Sequence, residues 1–254
     1  MSTVQDIYDC IDEAAPFSSA LSFDNVGILV GDPAAPVHRA MLVLDITPAV
    51  IAEAAGKNVD LLISHHPVIF EPMKAVRQGD VPFLLIENHI AALCCHTNLD
   101  RSPVCGVNIA LGRKLGLQTI RFQEVGEDVI LFTGELPREM SPREFALYGK
   151  QKLGSDCVKF CAGDTPVKTV AFSSGAGADG CMVAKALGAD AFLTGEMKHH
   201  EELQARAQGI TTVTAGHYWT ECVFAGLLSE YLRKRIKDVG FIPSASEQPP
   251  MTAL

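Results

Sequence analysis

The sequence predicts an α/β protein built from two related three-layer α/β domains with mostly parallel sheets. Short apolar runs, typical of buried strands, alternate with stretches of helical spacing along the chain. The order strand, polar loop, helix, strand also recurs in both halves. The 254 residues suffice for two domains of ordinary size. We place the first domain at 1–122 and the second at 123–254, with a C-terminal helix that can pack back on the first.

The elements of the first half follow from local patterns. Thr47 is predicted to cap a helix that begins at Pro48, because threonine can accept backbone N–H groups and proline is favoured at the first helical position. Apolar runs bounded by turn residues predict the strands. The predicted elements are a helix at 3–14, a strand at 40–47, a helix at 47–58, a strand at 60–64, a helix at 81–89, a strand at 90–96 and a helix at 106–117.

The second half repeats this alternation after a predicted boundary at 118–128. Ser141 and Glu144 have the spacing of a capping box, and Gly209 is a helix-stopping residue. The segment 219–237 has the length and spacing of one long helix. The other predicted elements are strands at 129–134, 167–178, 190–196 and 210–217, and helices at 141–154, 181–189 and 199–209.

Histidine and acidic residues follow the ends of predicted strands in both halves. In each half, one strand ends in polar residues and the next ends in a histidine that has an acidic residue four positions later. Loops at the carboxyl ends of strands in open α/β sheets converge on a crevice, so we expect these side chains to gather. They are His65, His66, His96, Asp100, Glu196, His217 and Glu221.

These residue types suit a metal centre. Imidazole and carboxylate together bind zinc, iron or manganese, and two such ions can activate a water molecule and polarise a substrate oxygen. If a helix begins by His217, the four-residue spacing places His217 and Glu221 on one face. Ordinary roles stay open for each residue: a solvated histidine pair, a turn aspartate, a capping histidine or a surface acid. His199 and His200 open a predicted helix and are expected to face solvent or substrate.

A glycine-rich segment, SSGAGADG at 173–180, follows a predicted strand. Such loops can hold phosphate through backbone N–H groups, but this one lacks the lysine of a P-loop. The eight cysteines form no CxxC pair and are expected to be small buried residues.

Charge and hydropathy exclude several classes of protein. The net charge of −9 argues against an electrostatic hold on nucleic acid or on an anionic membrane. The one dense basic run, LRKRIK at 232–237, is typical of a solvated helix end. No apolar run reaches the ~18 residues that a membrane span needs. The N-terminus lacks the order of a secretory signal, so we expect a cytoplasmic protein.

The segments SFDNVGILVG, DLLISHHPVIF, CCHTNLD, GADAFLTGE and TAGHYWTE occur in this order along the chain. Together they resemble the Nif-three-like family, also catalogued as type 2 GTP cyclohydrolase 1. The short span between Leu117 and the SSGAG segment is similar to members without an inserted domain. The resemblance implies two related α/β domains, a dinuclear metal centre in the cleft between them and a toroidal homohexamer.

The resemblance also implies roles for individual residues. His96 matches the family's segment as a further ligand or a water-orienting group, and His96 or Glu196 could carry a proton. Glu221 would bridge two divalent ions of iron, zinc or manganese. The implied ligands are His65, His66, Asp100, His217 and Glu221.

The family's catalogue name implies a dinuclear metal-dependent hydrolase that opens the ring of a purine nucleotide with a metal-activated water. Its substrate would be a small molecule such as GTP. The same ions would also suit a phosphoester or an amide, because fold and metal count do not choose a substrate. The alternative is a non-catalytic metal-binding hexamer that acts as an interaction or metal-handling protein.

Overall fold

The computed structural model describes residues 1–126 and 128–253, which fold as two α/β units. The helices are α1 Val4–Asp12, α2 Pro48–Gly56, α3 Val81–Glu87, α4 Thr97–Arg101, α5 Val107–Lys114, α6 Pro142–Leu153, α7 Gly180–Ala184, α8 His199–Gln208, α9 His217–Glu221 and α10 Phe224–Arg235. The strands are β1 Gly27–Val30, β2 Arg39–Val43, β3 Leu61–Ser64, β4 Ala91–Cys94, β5 Gln118–Gln123, β6 Leu131–Met140, β7 Lys159–Cys161, β8 Val167–Phe172, β9 Ala191–Thr194, β10 Thr211–Thr214 and β11 Gly240–Pro243.

The two units divide the chain at positions that differ from the predicted boundary. The first unit contains Met1–Gly106 and a returning segment, Ala225–Gln248. The second begins at Val107 rather than at 123, because β5 pairs with β6, where Phe122 lies opposite Phe132. The returning segment carries most of α10 and β11, and β11 pairs in parallel with β2.

The first unit has a five-stranded sheet in the order β1-β4-β3-β2-β11. The pairs from β4 to β11 are parallel, and β1 is antiparallel to β4. All residues of β3 and β4 are buried, which explains their continuous apolar runs, because helices cover parallel strands on both faces. Met41 and Leu62 belong to one core cluster that also contains Leu85 of α3.

The second unit has a six-stranded sheet in the order β5-β6-β8-β9-β10-β7. Its central pairs, β8-β9 and β9-β10, are parallel, whereas β5-β6, β6-β8 and β10-β7 are antiparallel. The sheet is therefore more mixed than predicted, because the antiparallel strands β5, β6 and β7 flank the parallel centre. Phe192 of β9 packs in a core cluster with Ala184 of α7 and Ala205 of α8. The predicted α/β class is confirmed.

Matching hydrogen bonds at the strand starts show that the two units share a repeated framework. Asp60 Oδ2 accepts the backbone N–H groups of His38 and Arg39 at 2.7 and 3.0 Å, at the start of β2. Asp190 Oδ2 accepts two backbone N–H groups at the start of β8, at 3.0 and 2.8 Å. In both units this aspartate directly precedes the next parallel strand. Equivalent carboxylates therefore set the register of neighbouring strands in the two sheets.

The strand ends are tied in the same repeated way. The N–H of Cys95, after β4, donates to the carbonyl of Ser64 at the end of β3 (2.8 Å). The N–H of Ala215, after β10, donates to the carbonyl of Thr194 at the end of β9 (2.9 Å). These bonds fix the loops that carry the predicted site residues, and they support the predicted duplication.

Among residues 1–126 and 128–253, none of the helices combines the length and the apolarity that crossing a membrane requires.

One buried carboxylate anchors the segment after β11. Glu53 of α2 pairs with Lys57 at 2.6 Å, accepts the Ser244 hydroxyl at 2.7 Å and accepts the N–H groups of Ala245 and Ser246 at 2.9 Å. Burial raises the pKa of Glu53, but these bonds outweigh burial and hold the pKa well below its ordinary value of 4.5.

We expect Glu53→Gln to lower the free energy of unfolding by about 2 kcal/mol at neutral pH, since it removes bonds to a charged group. A lowered carboxyl pKa contributes stability that is full above the unfolded pKa and is lost as pH falls towards the folded pKa. The difference from the wild type should therefore shrink below about pH 4.5. Urea unfolding at pH 7 and below pH 4 checks this, and a pH-independent difference would contradict it.

Candidate metal centre

Three histidines cluster at the strand ends of the first unit. His65 and His66 follow β3, and His96 follows β4 at the start of α4. Their ring centroids lie 5.0 to 5.6 Å apart, and their candidate ligand atoms lie within 4.8 Å of one another. Asp100 of α4 joins the cluster, with Oδ1 3.7 Å from His65 Nε2. The fold therefore gathers the four residues that sequence reasoning selected in this unit.

The protonation of His65 follows from its partner. His65 is buried, and its Nδ1 lies 2.9 Å from the backbone carbonyl of Cys95. A carbonyl can only accept, so Nδ1 carries the hydrogen and the neutral ring has its lone pair on Nε2. His65 Nε2 is the nitrogen nearest to Asp100, and it has the form that binds a metal.

Carboxylates orient the other two histidines in the same way. His66 Nδ1 lies 2.8 Å from Asp45 Oδ1, and His96 Nδ1 lies 2.9 Å from Asp24 Oδ1. Asp24 also accepts the N–H and the hydroxyl of Thr97. Burial raises the pKa of Asp24, but the bonds from His96 and Thr97 outweigh it and bring the pKa down to about 2. A carboxylate on Nδ1 that orients the ring and raises the basicity of Nε2 is typical of metal-binding histidines.

The second unit carries a smaller cluster on α9. His217 and Glu221 lie one turn apart, and His217 Nε2 is 2.9 Å from Glu221 Oε2. His217 Nδ1 is 3.1 Å from Glu196 Oε1, after β9. One imidazole thus lies between two carboxylates, and a positive charge such as that of a metal ion would stabilise this arrangement.

Gly175 leaves the space that the Glu221 carboxylate fills. A Cβ atom at this position would lie 2.0 Å from Glu221 Oε1 and 3.1 Å from His217 Nε2. The Gly175 N–H donates to the Thr220 hydroxyl at 3.1 Å, and its carbonyl accepts the N–H of Glu196 at 3.0 Å. Its φ of 57° is in the left-handed region that favours glycine. The glycine-rich loop therefore packs closely against the Glu221 carboxylate.

This use of the loop corrects the interpretation of SSGAGADG as a phosphate cradle. The N–H groups of Ser173, Ser174 and Gly175 donate to the Leu193 carbonyl, to Asn108 Oδ1 and to a hydroxyl of α9. The first three donors of the loop are thus used inside the second unit. Since an anion cradle needs such donors to point at its ligand, this part of the loop serves packing.

The donor chemistry of both clusters fits divalent metal ions. Imidazole nitrogens with defined lone pairs and buried carboxylates are ligands for zinc, iron and manganese. His199, by contrast, lies exposed on α8, with Nδ1 4.0 Å from Glu202 Oε2, as expected for a surface residue.

Comparison with known proteins assigns the chain to a family. Residues 2–250 match the family described as Duf34/NIF3 (NGG1p interacting factor 3). The chain belongs to the Duf34/NIF3 family. This confirms the resemblance noted in the sequence.

Several known proteins resemble this Duf34/NIF3 chain over nearly its whole length. A Clostridium perfringens protein named GTP cyclohydrolase 1 type 2 homolog is 32% identical over 258 residues, which cover 97% of this chain and 98% of that protein. A Clostridium acetobutylicum protein with the same name is 30% identical over 247 residues, covering 93% and 92%. The crystal structure of Staphylococcus aureus hypothetical protein SA1388 has a TM-score of 0.91, 26% identity and 99% coverage of both chains.

Two kinds of site residue escaped the sequence analysis of this Duf34/NIF3 protein. Asp24 and Asp45 orient histidines that lie far along the chain, and Gly175 shapes the place of Glu221. Asp24 lies in the SFDNVGILVG segment without a predicted role of its own, and Asp45 lies in the predicted strand at 40–47. A signal for Asp45 was present, because it ends an apolar strand just as the histidines do.

Proposed function

We propose that this chain is a dinuclear metal-dependent hydrolase that acts on a small nucleotide, as a homohexamer. His65, His66, Asp100, His217 and Glu221 would hold two divalent ions, and Glu221 would contribute to both. Such ions, when bound, supply an activated water and polarise a substrate oxygen.

The observation that carries this proposal is the orientation of the histidines. In the first unit, three rings each place Nδ1 against an acceptor, while their candidate ligand atoms converge within 4.8 Å. Histidines that were only solvated would not be expected to have every Nδ1 atom hydrogen-bonded to a protein acceptor. Backbone and carboxylate acceptors that select one tautomer are the arrangement expected around metal ligands.

The chain's own residues would divide the remaining tasks. His96, oriented by Asp24, would act as a further ligand or would orient water. Glu196 is mostly exposed, and its Oε1 lies 3.1 Å from His217 Nδ1. Glu196 could therefore accept a proton at Oε1 and release it to solvent. The buried carboxylates of Asp100 and Glu221 would stay fixed while the substrate exchanges.

Turnover of GTP tests the catalytic part of the proposal. We expect protein reconstituted with iron, zinc or manganese to consume GTP and release formate, and chelation to abolish this. Chromatography of the nucleotide pool follows the loss of GTP, and a formate assay follows the release of formate. Bound metal without consumption of GTP or of other purine nucleotides would contradict the nucleotide hydrolase.

With His96 as a further ligand, we expect Asp24→Asn to weaken metal binding by roughly 10- to 100-fold, the usual effect of losing an outer partner of a histidine ligand. The asparagine keeps the shape of Asp24 but loses the charge that faces His96 Nδ1. Metal titration against a competing chelator measures the change. Asp32→Asn is the matched control, because Asp32 is an exposed turn residue of the same unit. Equal affinities in the two variants would contradict the role of Asp24.

The family description, NGG1p interacting factor 3, supports a second candidate, a metal-bearing interaction protein without turnover. This candidate predicts stable metal content, no product from any nucleotide, and binding to a protein partner that survives Glu221→Ala. The GTP experiment separates the two.

A further inference from the structure

Two exposed aromatic rings lie close together in the first unit. Phe23 is 60% exposed and Phe70 is 48% exposed, and their centroids lie 6.3 Å apart with an interplanar angle of 62°. Large apolar side chains that stay exposed next to each other often mark a binding site. Rings at this angle form a corner, in which a third ring can stack on one face and meet the edge of the other.

Hydrogen bonds hold both rings close to the histidine cluster. Phe23 directly precedes Asp24, which accepts His96 Nδ1 and the N–H of Thr97. The N–H of Leu21 donates to the Thr97 hydroxyl at 2.9 Å, and Asn25 Nδ2 donates to the carbonyl of Ile69, the residue before Phe70. The turn that carries Phe23 is thus fastened both to α4 and to the segment that follows His66.

We propose that Phe23 and Phe70 form a stacking site for a planar heteroaromatic ring, the base of the substrate. This deepens the proposed function and rests on it. Phe23 adjoins Asp24, which orients His96, and Asn25 of the same turn ties down the segment that carries Phe70, so a base bound between the rings would be held at the edge of the histidine cluster. Aromatic side chains bind nucleobases by stacking regardless of sequence, because every base presents a π-face.

Calorimetric titration of the metal-loaded full chain tests the stacking site. The probes are GTP, ATP and CTP, with inorganic triphosphate as the probe that lacks a base. We expect Phe23→Ala and Phe70→Ala to raise the Kd for the nucleotides by about 10-fold, the usual effect of removing one stacking ring. Affinity for inorganic triphosphate and metal content should not change, and Phe23→Trp, which keeps an aromatic ring, should bind nucleotides about as tightly as the wild type.

Phe160→Ala is the matched control, because Phe160 is 44% exposed in the second unit and should leave all affinities unchanged. An equal loss for inorganic triphosphate, no loss for any nucleotide, or a changed oligomeric mass in the Phe23 and Phe70 variants would overturn the stacking site. So would a metal-loaded wild type that binds none of the nucleotides. If the wild type binds no metal, the proposed function fails separately, and titration with guanosine still tests the rings.

Discussion

We expect Glu221→Ala to lose most of its bound metal, from about two ions per chain to fewer than about one. Glu221 is 4% exposed, and its Oε2 lies 2.9 Å from His217 Nε2. Because Glu221 would contribute to both proposed ions, its loss would take a ligand from each. The apparent affinity should therefore fall by more than the roughly 100-fold that loss of an outer partner causes. Elemental analysis of desalted protein after reconstitution measures this.

Glu202→Ala is the control for the Glu221 variant. Glu202 lies on α8 of the same unit and pairs with Lys159 at the surface, so its loss should leave the metal content unchanged. Metal content that stays at the wild-type level in Glu221→Ala would contradict the shared ligand, provided that circular dichroism shows the variant to be folded.

We expect Gly175→Ala to reduce the metal content nearly as much as loss of the carboxylate itself. The new methyl group would lie 2.0 Å from Glu221 Oε1, a distance that van der Waals contact forbids, so the carboxylate must move. The substitution also places alanine at a φ of 57°, which is expected to add roughly 1–2 kcal/mol of backbone strain. Metal content and thermal unfolding are measured on the same sample.

Gly188→Ala and Gly154→Ala are controls that separate two effects of Gly175→Ala: the clash of the new methyl group with Glu221 and the backbone strain of alanine at positive φ. Both glycines have similar φ angles, 78° and 74°, and a Cβ atom at either position meets nothing within 4 Å. These variants should show the loss of stability and keep their metal. Equal losses of stability and equal metal contents in all three variants would contradict the claim that a side chain at position 175 displaces the Glu221 carboxylate.

The fold could be predicted where packing leaves a local pattern. Buried strands such as β3 and β4 are continuous apolar runs, so their positions were evident. Strand β5 was missed because QTIRFQ is a largely exposed, polar edge strand. The predicted single helix at 219–237 is two helices that are interrupted at Cys222 and Val223, where neither glycine nor proline marks a break.

The site could be predicted only as far as residue types at strand ends reveal it. His66 and His217 were evident because each follows a buried strand. Their orienting carboxylates were not, because the pairs of Asp45 with His66 and of Asp24 with His96 join residues 21 and 72 positions apart. No local periodicity encodes such contacts. Gly175 was ambiguous for a different reason, since a glycine-rich loop is equally typical of anion binding and of close packing.

A crystal structure of the protein reconstituted with zinc, with anomalous data collected at the zinc edge, tests the metal centre most directly. The account predicts two anomalous peaks per chain. They should be bound by nitrogens of His65, His66 and His217 and by oxygens of Asp100 and Glu221. An absence of peaks at these side chains, with matched crystals grown in iron or manganese equally empty, would contradict the dinuclear centre.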